Sequence, residues 1–196
     1  MARPNTNKEY KSICVSDMSF HNLFAHLRLW SVAMVGLIAD LLTKRWAMTH
    51  LIDETGREKP MAIIENYFYF ILGQNAGGPW SIAEGKTGFL IGGSLMALVF
   101  LLWIFSTSHY KHWVCHIALG MLLAGALGNL YDRIFNDGKV VDFISVDLHV
   151  RFANPWPTFN IADVLLTVGV GILMIHLFRH SDGQAVKQNG KADEDS

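Results

Sequence analysis

Two apolar blocks of this sequence are too short to cross a bilayer unless each takes an aspartate in with it. Between Arg28 and Asp40 lie 11 uncharged residues, and between Asp163 and Arg179 lie 15. At about 1.5 Å per residue the longer block reaches roughly 23 Å, short of a hydrocarbon core of about 30 Å. Two other blocks need no such help. Positions 87–110 and 112–131 hold 24 and 20 consecutive residues free of Lys, Arg, Asp and Glu. If all four blocks span, the first continues through Asp40 towards Lys44, and the last begins near Phe159, bringing Asn160 and Asp163 into the membrane. The plainer reading makes both acids ordinary helix ends at headgroup level. The sharper one follows from cost, since an intramembrane carboxylate marks a functional site by default.

Composition agrees with a membrane chain: 51% of residues are hydrophobic and 17% charged, with a net charge of −1. That excludes disorder and leaves no basic field for a nucleic acid. The two cysteines, Cys14 and Cys115, cannot make a disulfide framework or a zinc site. Spans are expected at about 28–48, 87–107, 112–132 and 159–178. Residues 1–26 form an N-terminal extension without the apolar core of a signal peptide, and residues 179–196 a disordered tail. Residues 27–178 then make one domain. Four spans put both termini on one side, but Lys and Arg number eight on either side, so charge does not say which. Between the first two spans, Met61-Ala-Ile-Ile-Glu-Asn-Tyr-Phe-Tyr-Phe70 is β-branched and aromatic, closed by Gly73, Gly77, Gly78 and Pro79. It reads as a small sheet lying on the membrane surface. The fold class is an all-α membrane protein of four transmembrane helices, with that sheet between helices 1 and 2.

The polar groups gather on one face. With alternating helix directions, Asp40 and Lys44, Asn75 and Gly77, Asn129 with Asp132 and Arg133, Asp142, and Asn160 with Asp163 all map to the same side. In the third span Gly125, Gly128, Asn129 and Asp132 share a helical face, which suits close helix packing. Asp40 with Lys44 and Asp132 with Arg133 read as self-neutralising pairs in a supporting role. Asp142, within Val140-Val-Asp-Phe-Ile144, and Asp163 have no basic neighbour in sequence. Two unpaired carboxylates at one face suggest a dyad in which one holds a proton and the other is ionised, an arrangement that activates water against an amide. No HExxH helix or GxSxG elbow competes. His112, His116 and His176 fall towards the opposite face and read as interface or packing residues. Neither metal nor other cofactor is expected.

In order along the chain stand Asp40-Leu-Leu-Thr-Lys44, Asn75-Ala-Gly77, Gly125-Ala-Leu-Gly-Asn-Leu-Tyr-Asp-Arg133, Val141-Asp-Phe143 and Phe159-Asn-Ile-Ala-Asp163. On these motifs residues 27–178 resemble the bacterial lipoprotein signal peptidases (signal peptidase II), intramembrane aspartic peptidases. The resemblance implies a catalytic pair, Asp142 and Asp163. It also implies that Asp40, Lys44, Asn75, Gly77, Asn129, Asp132, Arg133, Asn160 and Ala162 build and hold the site. Family members cut a signal peptide just before a cysteine carrying diacylglycerol, with both termini cytoplasmic and the dyad near the outer leaflet. Expected partners are therefore diacylglyceryl-modified prolipoproteins and membrane lipid, with no nucleic acid, and the enzyme is expected to be a monomer of the bacterial inner membrane. Trp80, in Gly78-Pro-Trp-Ser81, is read as a lid over bound peptide or as an interfacial anchor. An ion- or proton-coupled transporter is the alternative reading. It would place its acids near the midplane and show internal repeats, whereas spans 1–2 do not echo spans 3–4. A non-catalytic assembly factor would tolerate loss of either unpaired Asp.

Overall fold

The computed structural model describes the backbone over residues 6–76, 86–109, 112–150 and 156–194, with side chains from 23 to 179 of these. Four helices carry the fold: α1 (Thr6–His50), α2 (Thr87–Thr107), α3 (Trp113–Phe135) and α4 (Ile161–Glu194). Segments Leu23–His50, Thr87–Thr107, Trp113–Phe135 and Ile161–Arg179 are long and apolar enough to cross a membrane. The first does include Asp40 and the last Asp163, as the length argument requires. Helix also continues from 179 to Glu194, where a disordered tail was expected. Its Ala, Lys, Gln and Glu are good helix formers and no proline interrupts them.

α3 is the hub and packs against α1, α2 and α4. Its face carries small residues because its neighbours come close. A Cβ on Gly125 would sit 2.5 Å from the Ala162 carbonyl oxygen of α4, and one on Gly128 would overlap the Asp40 carboxylate of α1. The packing role expected for these glycines holds, and Gly128 also makes room for a charge. Leu29, Ala33, Leu101, Cys115, Leu119, Leu122 and Leu123 fill the bundle core. α2, by contrast, turns Phe89, Met96, Val99 and Trp103 outward. Such an apolar surface suits lipid and not water.

The sheet has three strands, where only the connection after α1 was expected to supply it. β1 (Met61–Ile64) and β2 (Phe68–Asn75) come from that connection, while β3 (Val140–Val146) comes from the one after α3. The order is β1-β2-β3, antiparallel throughout. Val140-Val-Asp-Phe-Ile-Ser-Val is a short, nearly unbroken apolar run, buried over its first five residues. A run of that length without alternation gives no strand period to read. Pairing places Gly73 opposite Asp142 and Asn75 opposite Val140. Phe143 and Ile144 join Ala47 and Leu51 from the end of α1 in a second cluster, with Phe70 and Phe159 packed on it, and this cements the sheet to the bundle.

Candidate active site

The deepest layer of the site is ionic. Asp40 is fully buried, and its Oδ1 accepts the Ala162 backbone N–H at 2.8 Å, tying α1 to the first turn of α4. Lys44 Nζ lies 2.8 Å from Asp40 Oδ2 and 2.9 Å from Asp132 Oδ2, and donates to Asn129 Oδ1 at 3.1 Å. An ammonium has three protons, and three acceptors surround this one. The Asp40–Lys44 pair is present as expected, but Asp132 shares the same Lys44 and is not paired with adjacent Arg133. Consecutive helical residues point about 100° apart, so neighbours in sequence are poor partners, while residues on facing helices meet. The other task of Asp132 is to accept the Val141 N–H at 3.0 Å, which anchors β3. Arg133 instead gives Nη1 to the Asn129 carbonyl at 3.2 Å.

On this layer rest two asparagines. Asn129 Nδ2 donates to Asp163 Oδ1 at 2.8 Å, while its Oδ1 also accepts Asn160 Nδ2 at 3.2 Å. Asn160, fully buried, donates to Asp142 Oδ1 at 2.7 Å, and its backbone N–H reaches Asp163 Oδ2 at 3.2 Å. Its Oδ1 accepts the Asp163 N–H at 3.0 Å, closing the turn that starts α4. On the other side Asn75 Nδ2 donates to Asp142 Oδ2 at 3.2 Å. Asp142 and Asp163 are thus linked through Asn160, and each has both oxygens engaged by amide donors. Burial and the negative charge of Asp163 push the Asp142 carboxyl up to about 7, against the pull of the Asn75 and Asn160 hydrogen bonds. A carboxyl poised there exchanges its proton at neutral pH, as general acid–base chemistry needs.

Both aspartates open onto a cavity of about 550 Å³. Asn75, Asn129 and Arg133 supply its polar wall, and Val164, Leu166 and Val168 of α4 its apolar one. Val164 and Val168 are also exposed on the outer surface of α4. The structure thus brings together ten of the predicted site residues: Asp142, Asp163, Asp40, Lys44, Asn75, Asn129, Asp132, Arg133, Asn160 and Ala162. Gly77 and Trp80 lie outside the described residues. Reasoning from sequence missed Trp156 and Thr158, which line the cavity just before Phe159. A Trp-Pro-Thr run directly ahead of the Asp163 motif was the available signal. Among the described residues no cluster of three or more His, Cys, Asp or Glu is arranged to hold a metal ion.

Comparison with known proteins gives the family. Residues 32–179 match the family described as Signal peptidase (SPase) II. A lipoprotein signal peptidase of Clostridium novyi (strain NT) is 38% identical over 148 residues, covering 76% of this chain and 95% of that protein. One from Clostridium acetobutylicum is 34% identical, covering 82% and 97%. A solved bacterial membrane enzyme superposes with a TM-score of 0.67 at 31% identity, covering 78% of this chain and 88% of its own. With its four membrane-crossing helices and three-stranded sheet, the chain belongs to the signal peptidase II family of membrane proteases.

Proposed function

We propose that this protein is an intramembrane aspartic endopeptidase that removes the signal peptide of diacylglyceryl-modified prolipoproteins, cutting just before the lipidated cysteine. The observation that carries the reading is the pair Asp142 and Asp163, held by Asn129, Asn160 and Asn75 on the wall of a cavity whose other wall is lipid-facing α4. Lipoprotein processing is what the names of its relatives describe. The more deeply buried Asp142 is the acid and Asp163 the base. Asp163 takes a proton from water while the hydroxide oxygen adds to the scissile carbonyl carbon, and Asp142 gives its proton to the carbonyl oxygen. The proton on Asp163 then passes to the amide nitrogen, the C–N bond breaks, and the collapsing gem-diol returns a proton to Asp142. Arg133, whose Nε has no partner among the described residues, offers donors to a substrate carbonyl.

The apolar wall explains the lipid requirement. Two acyl chains lying along α4 are anchored at about 0.8 kcal/mol per buried CH₂, and the scissile amide is thereby held at the depth of the dyad. In this reading the dyad sits near the outer leaflet, both termini are cytoplasmic, and the monomer is the working unit. Asp142→Asn and Asp163→Asn should each abolish cleavage of a diacylglyceryl-modified prolipoprotein while the protein remains folded in detergent. Turnover near the wild-type rate by either, or efficient cutting of the unmodified precursor, refutes the assignment. Trp80, on its glycine-rich segment, is proposed to cover the bound peptide. Trp80→Ala should raise KM with membrane insertion intact, and unchanged kinetics would leave it an anchor.

A further inference from the structure

Among residues 23–179, whose side chains are described, every described Asp and Glu lies on the dyad side: at the C-terminal ends of α1 and α3, in the connections that follow them, or at the start of α4. Asp17 of α1 and Asp182 of α4 fall outside those bounds, at the other end of the two helices. The opposite end carries Arg28, Arg179 and five histidines, His26, His109, His112, His116 and His176. A second cavity, of about 430 Å³, opens there between the start of α3 and the end of the α4 span. His112, His176 and Arg179 supply its polar lining. The rings of His112 and His176 stand edge to face with centroids 5.3 Å apart, and Arg179 follows His176 by three positions, on the same face of α4. The remaining wall is apolar, with Val114, Ile172 and Ile175, and exposed Trp113 stands at the rim. Ile175 and Phe178 are both more than half exposed, so the apolar wall continues onto the lipid-facing surface of α4.

We propose that this cavity binds the phosphate of an anionic phospholipid from the leaflet opposite the dyad. A guanidinium fits a phosphate with two parallel hydrogen bonds, and imidazole N–H groups add donors beside it. The first N–H groups of α3 have no acceptor within the helix, and the His112 side chain does not cap them, so they add positive potential at the same mouth. The apolar wall decides between a lipid and a free phosphate, since it gives the acyl chains a continuous path into the bilayer. His112 and His176, read from sequence as interface or packing residues, become ligands here. The bound lipid would join α3 to α4, the two helices that carry Asn129 and Asp163 at their other ends.

The test uses the purified full chain in phosphatidylcholine nanodiscs with increasing phosphatidylglycerol, read by thermal unfolding and by native mass spectrometry of retained lipid. The expected result is a saturable rise in Tm with phosphatidylglycerol and one retained anionic lipid. Arg179→Gln should weaken that response about tenfold, the loss of one charged hydrogen-bonding partner, while its Tm in pure phosphatidylcholine matches wild type. Arg179→Lys should keep most of the response. An unchanged response in the double variant Arg179→Gln/His176→Gln overturns the site. So does an equal rise with phosphatidylcholine alone, and a shift reproduced by inorganic phosphate would overturn the lipid as its ligand.

Discussion

Lys44→Met tests whether the ionic layer beneath the dyad is one unit. Methionine keeps the unbranched shape and most of the volume of lysine, so packing changes little and the charge is what is lost. The variant leaves Asp40 and Asp132 buried with no ammonium between them, where Nζ had stood 2.8 and 2.9 Å from their oxygens. Removing one partner from a buried ionic cluster costs about 3–5 kcal/mol. At about 2–4 °C per kcal/mol for a chain of this size, Tm should fall by roughly 6–20 °C. Asp132→Asn is the contrasting change. It keeps the Asp40–Lys44 pair, and the new amide oxygen can still accept the Val141 N–H, so the loss should stay below about 2 kcal/mol. Tryptophan fluorescence during thermal unfolding in detergent reads both. The reasoning fails if Lys44→Met melts within about 2 °C of wild type, or if Asp132→Asn proves as damaging as Lys44→Met.

Two further outcomes follow from the geometry. Gly128→Ala raises helix propensity by about 1 kcal/mol, yet its Cβ would overlap the Asp40 carboxylate, so both stability and cleavage should fall. A more stable, fully active variant would show that Asp40 has room to move. Cleavage should decline as pH rises through about 7, where Asp142 gives up its proton. Asn75→Ala removes a hydrogen bond that favours the ionised form, so the same decline should move to higher pH, and a move to lower pH would contradict the assigned direction.

The spans and the two aspartates were legible because charge-free length and isolated acids are local properties of a sequence. What pairs with what was not. Asp132 and Arg133 are adjacent, and adjacency suggested a pair. The partner of Asp132 is instead Lys44, 88 positions earlier, brought there by the crossing of α1 on α3. β3 was hidden for a related reason. Its apolar run is buried on both faces by long-range contacts, and only the register against β2 turns Asp142 towards Asn75. Trp156 and Thr158 meet the cavity through the bridge between Ile144 and Phe159, which no spacing announces.

The asparagines between Lys44 and the dyad explain how a buried acid can stay protonated so near an ammonium. A unit charge about 4 Å from a carboxylate is worth roughly 4 kcal/mol at an effective dielectric of about 20, or about three pH units. A lysine in direct contact with Asp142 would therefore hold it ionised at neutral pH and leave the dyad without an acid. Lys44 is spent on Asp40 and Asp132 instead, and only its hydrogen bond to Asn129 Oδ1 faces the dyad. Asn129 and Asn160 pass on orientation without net charge: their amides fix Asp163 Oδ1 and Asp142 Oδ1 at 2.8 and 2.7 Å. On the Asp142 carboxyl the Lys44 charge acts less than burial, the Asp163 charge and the two amide hydrogen bonds do. Neutral amides in the layer between let one site hold Asp40 and Asp132 on their shared Lys44 below and the two aspartates of the dyad above.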